Sequence, residues 1–154
     1  MGKYAQDTQV SIDKSRLEIE RTLAKYGASS FMYGMNKDKA IIAFEAHSRR
    51  VKFELPMPDR EDYRTTETGR YRFEDRTIDA AWEQGKKQRW RALALVIKAK
   101  LEAVEIGIVE FEDEFLAHIM LPNGQTMGEL ARPQLQIAYE RGEVPPLLGY
   151  DGNG

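Results

Sequence analysis

The side chains of this chain best suited to chemistry are cationic and aromatic. Lys86, Lys87, Arg91 and Lys98 recur along a run of strong helix formers, and Arg64, Arg70 and Arg72 alternate with Tyr71 and Phe73 in the segment before it. Ammonium and guanidinium groups neutralise phosphates, and aromatic rings stack on unpaired bases, so the combination suits nucleic acid. Arginines and aromatics are also what the centres of protein interfaces favour. The plainer reading makes the segment 57–76 a solvated loop and the long helix a scaffold. On that reading its cations snorkel or pair with carboxylates. Arg89 and Lys100, which fall inside the apolar arc of the helix, decide between the two. If they are paired internally the helix is scaffold; if not, that face meets a partner.

Other chemistries find less footing. His47 and His118 are the only histidines. Glu114 and His118 stand four apart, as metal ligands on one helical face do, but no second histidine accompanies them. Glu105, Glu110, Glu112, Asp113 and Glu114 are carboxylates of the kind that hold Mg²⁺. Consecutive residues 110–114 point in several directions, however, and better suit a helix N-terminus or neutralise the basic helix. The glycines are scattered and form no phosphate loop, and no serine sits in a nucleophile elbow. The absence of cysteine excludes a disulfide scaffold, a zinc ribbon and thiol catalysis. The expectation is a protein without cofactor or catalytic site.

Composition sets the bounds. The 154 residues are enough for one domain with a single core, and 42% apolar with 31% charged content is that of a globular protein. With 23 Lys and Arg against 25 Asp and Glu the formal charge is -2, so any surface for nucleic acid has to be a local patch. The opening MGKYAQDTQV lacks the apolar core of a signal peptide, and no apolar run approaches the roughly 20 residues that cross a bilayer. A cytoplasmic protein with no membrane partner is expected.

These residues need elements to position them. Residues 1–12 are polar and unpatterned, which predicts a flexible N-terminal arm, and the domain is expected to span 13–148. Ser15 and Glu18 have capping-box spacing before Leu17, Ile19, Leu23 and Tyr26, predicting a helix over 14–26 that ends at Gly27. Three strands follow, SSFMYGM (29–35), KAIIAFEA (39–46) and RVKFELP, the last alternating cleanly before Pro56 and Pro58. The second helix is predicted over 76–105, capped by Asp75 or Thr77. Its stripe of Trp90, Leu93, Ala94, Ile97, Leu101 and Val104 must be buried. A wheel widens the apolar arc to Ile78, Ala81, Trp82, Ala92 and Val96, leaving Lys87, Arg91, Lys98, Glu102 and Glu105 on a narrow solvent strip. An acidic helical turn follows Gly107, and Thr126 with Glu129 caps a last helix over 127–141 that meets Pro133 and closes at Gly142. Residues 149–154 are expected to be a flexible tail.

The fold class is therefore α+β: a three-stranded antiparallel sheet packed on a long central helix, in helix-β-β-β-helix order with further C-terminal helices. Over residues 14–105 that order resembles the topology of the double-stranded-RNA-binding domain. Lys86 and Lys87 are loosely similar to that family's phosphate-contacting Lys-Lys pair near the start of its second helix. Here the pair lies over two turns inside the helix and the preceding loop is far longer. A second resemblance rests on SRLEIERTLAKYGASSFMYG, VKFELPMP, KQRWRALALVIKAKLEAVE and EFLAHIMLPNGQTMGE. Over about residues 3–148 these look like a widespread family of small uncharacterised proteins encoded in bacteriophage and prophage genomes. That resemblance implies a phage or prophage origin, and hence the cytoplasm of a bacterial host, and it brings no catalytic residues. The expected function is a non-enzymatic accessory protein that binds nucleic acid in phage DNA or RNA metabolism. The alternative is a protein-binding modulator or inhibitor of a host enzyme or defence complex.

Overall fold

The apolar stripe of the long helix is where the fold is organised. A computed structural model describes residues 2–148, and in it α2 (Asp75–Ile106) buries Trp90, Leu93, Ala94, Ile97 and Leu101. Beside it runs α1 (Lys3–Lys25), which buries Thr8, Ile12, Ile19 and Leu23. The two helices lie parallel. Ala5, Thr8 and Gln9 share one pocket with Trp82, Glu83 and Lys86, while Lys14 to Tyr26 share another with Lys98.

The sheet under them is a meander in the order β1 (Ser30–Met35), β2 (Lys39–Ala46), β3 (Arg49–Pro56). Both pairings are antiparallel, with Tyr33 opposite Ile42 and Ile42 opposite Phe53. Ala40, Ile42, Phe44 and Ala46 alternate into the core, and Lys39, Ile41, Ala43 and Glu45 face away from it. The outer face carries an ion-pair lattice, Lys39–Glu54 at 3.3 Å, Lys52–Glu54 at 3.6 Å and Arg50–Glu45 at 2.9 Å. The β2–β3 connection has two residues, His47 and Ser48, at φ 50° and 60°. Positive φ at both positions matches the twist of a hairpin and is uncommon outside glycine, and the His47 ring stacks on Phe111 at 4.4 Å.

The C-terminal part closes the core beside β3. The short helix α3 (Phe111–Glu114) and a 3-10 turn over Leu116–His118 bring in Phe111 and Phe115. Phe115 sits 4.6 Å from Phe111, 5.9 Å from Phe44 and 6.3 Å from Phe53, ring centroid to centroid. Ile119 bridges Val51 on the free edge of β3. Helix α4 (Met127–Arg141) starts as its spacing predicts, the Thr126 hydroxyl accepting from the Glu129 amide at 3.2 Å, runs through Pro133 and ends at Gly142 with φ 67°. Among the described residues no helix is long and apolar enough to cross a membrane.

Four expectations need correction. The arm expected over 1–12 is helical from Lys3, because Thr8 and Ile12 are each 3% exposed and the Thr8 hydroxyl is satisfied by the Tyr4 carbonyl at 2.8 Å. Ser15 therefore lies inside α1 and caps nothing. Glu74, not Asp75 or Thr77, occupies the N-cap of α2, with no side-chain cap bond. The apolar arc of α2 is narrower than the wheel implies: Ala92 and Val96 are exposed, because neither the sheet nor α1 reaches that side of the helix. The tail expected at 149–154 lies outside the described residues.

Candidate nucleic-acid interface

The loop before α2 is built by its own charges. Arg60 donates to Asp79 at 2.6 Å and to Asp75 at 3.1 Å, which pins a 3-10 turn over Arg60–Tyr63 to the start of α2. Tyr63 lies against Gly85 so closely that a Cβ there would stand 1.8 Å from its hydroxyl. This close approach explains a glycine in the middle of a helix, where it costs about 1 kcal/mol. Arg72 donates to the carbonyls of Tyr63 at 2.9 Å and Thr65 at 3.2 Å, and Arg64 pairs with Glu61 at 3.1 Å. Arg64 and Arg72 thus hold the loop together. Arg70, Tyr71 and Phe73 remain outward-facing, the two rings 4.7 Å apart and Phe73 85% exposed.

The cations of α2 divide in the same way. Lys86 binds Glu83 at 3.1 Å and lies 3.5 Å from the centre of the Trp82 ring, so it is occupied internally. Arg89 donates to the Pro56 carbonyl at 2.9 Å. Lys100 donates to the Glu114 carboxylate at 3.0 Å and to its backbone carbonyl at 3.1 Å, with the Phe115 ring 5.7 Å away. Both residues of the apolar arc are paired inside the molecule, so that arc is scaffold. Beside it, burial and the charge of Lys100 hold His118, stacked on Phe53 at 4.0 Å, below the usual imidazole range.

Lys87, Arg91 and Lys98 are different: among the described residues none has a carboxylate partner. Lys98 opens onto a groove of about 400 Å³ between α1 and α2, lined on the α1 side by Lys14, Leu17, Glu18, Arg21, Thr22, Lys25 and Tyr26. Four cations from two helices face one groove with a single carboxylate, Glu18, among them. Lys14, Arg21 and Lys25 are exposed and also unpaired among the described residues, apart from the contact of Lys25 with the Tyr26 ring at 5.2 Å. The sequence reading missed these three, although their seven- and four-residue spacing places them on one helical face.

Glu114 is committed to Lys100, so it is not free to act with His118, and among the described residues no three metal-binding side chains converge. Compared with family models, curated proteins and solved structures, the chain matches none.

Proposed function

We propose that this chain is a non-enzymatic nucleic-acid-binding protein, an accessory of phage DNA or RNA metabolism, with the α1–α2 groove as its phosphate site. One observation carries the reading. In a chain of net charge -2, Lys14, Arg21, Lys25 and Lys98 meet at one groove with no carboxylate partner among the described residues. Cations left unpaired at a concave surface are placed to displace counterions from a phosphate backbone. Lys87 and Arg91 extend the strip along α2, and Tyr26 and Leu17 offer apolar contact for a sugar or base edge. Lys86, Arg64 and Arg72 are engaged within the molecule and are not asked to touch the ligand.

Fluorescence anisotropy with labelled single- and double-stranded DNA and RNA at low salt tests this. Binding should weaken linearly in log affinity against log salt, and Arg21→Glu with Lys98→Glu should abolish it while leaving the melting temperature within a few degrees. A single neutral change at either position should lower the salt slope by about one. No binding to any of the four at low salt sinks the reading.

The second reading is a protein-directed modulator. Its support is the outward pair Tyr71 and Phe73 beside Arg70, side chains of the kind that anchor protein interfaces. Phe73→Ala with Arg70→Ala should then remove a stoichiometric partner recovered from host lysate and leave nucleic-acid affinity unchanged.

A further inference from the structure

Glu83 stands seven residues before Trp90, on the stripe where α2 otherwise carries Trp90, Ala94, Ile97 and Leu101. It is 8% exposed, and among the described residues no other charged side chain is so deeply buried. A carboxylate in a core position is costly unless its oxygens are answered. Lys86 answers Oε1 at 3.1 Å and is itself held 3.5 Å from the centre of the Trp82 ring. Oε2 has no hydrogen-bond partner among the described residues, and it is not one of the polar atoms sealed from solvent. Glu83 lines a cavity of about 310 Å³ where α1, the β1–β2 turn, the chain past β3 and α2 converge, and this cavity is the outlet of the free oxygen. Ile12, Met35, Met57, Pro58 and Trp82 give it apolar walls. A concave, mostly apolar site with a few placed polar groups is what small ligands occupy.

We infer that this cavity takes the base of a nucleotide, a planar ring whose N–H donates to Glu83 Oε2, with the sugar and phosphate directed out past Lys37. The inner wall asks for donors. The Trp82 indole N–H is spent on the Pro58 carbonyl at 2.8 Å and the Thr8 hydroxyl on the Tyr4 carbonyl at 2.8 Å, which leaves the Thr8 oxygen as a second acceptor beside Glu83. Lys86 already balances the carboxylate, so the free oxygen calls for a neutral N–H and not for a second cation. Met35 and Met57 offer thioethers, which make favourable contacts with aromatic rings. At the rim Lys37 is exposed and has no carboxylate partner among the described residues, so it is free for an anionic substituent. An aromatic ring that brings N–H donors and trails an anion is a nucleotide. The cavity shares no lining residue with the α1–α2 groove, so the inference is independent of the proposed phosphate site.

Titration of the full chain, labelled at its methionine methyls and indole nitrogens, with GMP, UMP and N3-methyluridine monophosphate tests it. The Met35 and Met57 methyls and the Trp82 indole N–H should shift saturably with GMP and UMP, and not with the methylated nucleotide, whose base has no N–H. Glu83→Gln should weaken the response about tenfold, and Lys37→Ala should weaken UMP while leaving uridine unchanged. Ala5→Trp fills the cavity from α1 and spares the Glu83–Lys86 pair. It should block binding with the circular dichroism unchanged, which keeps the test open where Glu83→Gln does not fold. Arg21→Glu with Lys98→Glu should leave the response intact, separating it from the groove. A guanosine-containing oligonucleotide run beside GMP names the source: whichever shifts these methyls at the lower concentration is the ligand, and either supports the site. No saturable shift with GMP or UMP overturns the inference, as does an equal response to the methylated nucleotide or wild-type affinity in Ala5→Trp.

Discussion

Two regions of this molecule each gather several cations and use them in opposite ways. Around the loop and the sheet-facing side of α2, each of Arg60, Arg64, Arg72, Lys86, Arg89 and Lys100 has an internal acceptor. In the groove between α1 and α2, Lys14, Arg21, Lys25 and Lys98 have no carboxylate partner among the described residues. The difference teaches that residue type alone does not mark a binding surface. A cation near carboxylates or orphan carbonyls is absorbed into the structure, and one held apart from them keeps its charge for a ligand.

The sharpest way to break the comparison is to empty the first region and ask whether binding suffers. Lys100→Met removes a charge-assisted bond to Glu114 and leaves that half-buried carboxylate and its carbonyl unanswered. It should lower stability by about 1–2 kcal/mol in urea unfolding, with nucleic-acid affinity unchanged. Loss of affinity without loss of stability would place Lys100 in the binding surface after all.

A smaller effect is expected at Gly85. An alanine there displaces the Tyr63 hydroxyl and unseats the loop from α2, partly offset by the better helix propensity of alanine. Limited proteolysis should cut within residues 60–72 faster than in wild type, and groove binding should persist. The smallest effect concerns His118, whose neutral form is favoured on folding by burial and by the charge of Lys100. Its folded pKa lies below the unfolded value of 6.5, so its contribution is complete above that pH and is lost as pH falls through the folded pKa. His118→Gln should flatten that acid limb of the stability profile, and Lys100→Met should shift it toward lower stability loss.

Sequence pattern alone carried the fold a long way, because the stripe of Trp90, Leu93, Ala94, Ile97 and Leu101 and the alternation of Val51 and Phe53 are period signals that burial enforces. It failed where burial uses polar residues. Thr8 is a core residue of α1 and reads as part of a polar arm, since its hydroxyl is satisfied by its own helix. Exposed Ala92 and Val96 fall within one wide arc on a wheel, because a wheel shows that a residue is apolar and not what covers it. The candidate site was half legible. Lys98 was found on its own helix, but the residues that complete the groove come from α1, and which helices lie side by side is a tertiary fact. The pairings of Arg64 and Arg72 are loop contacts, whereas Lys86 meets Glu83 and Trp82 three and four residues earlier on its own helix, a spacing already visible in the sequence.

The most direct test is to map amide chemical shifts while a short labelled-protein sample is titrated with single- and double-stranded oligonucleotides. The expected result is a contiguous set of perturbations over residues 14–26 and 91–98, fading as salt rises, with the amides around Lys100 and Glu114 unmoved. Perturbations centred on Arg70, Tyr71 and Phe73 with a silent groove, or none at all at low salt, would contradict the account.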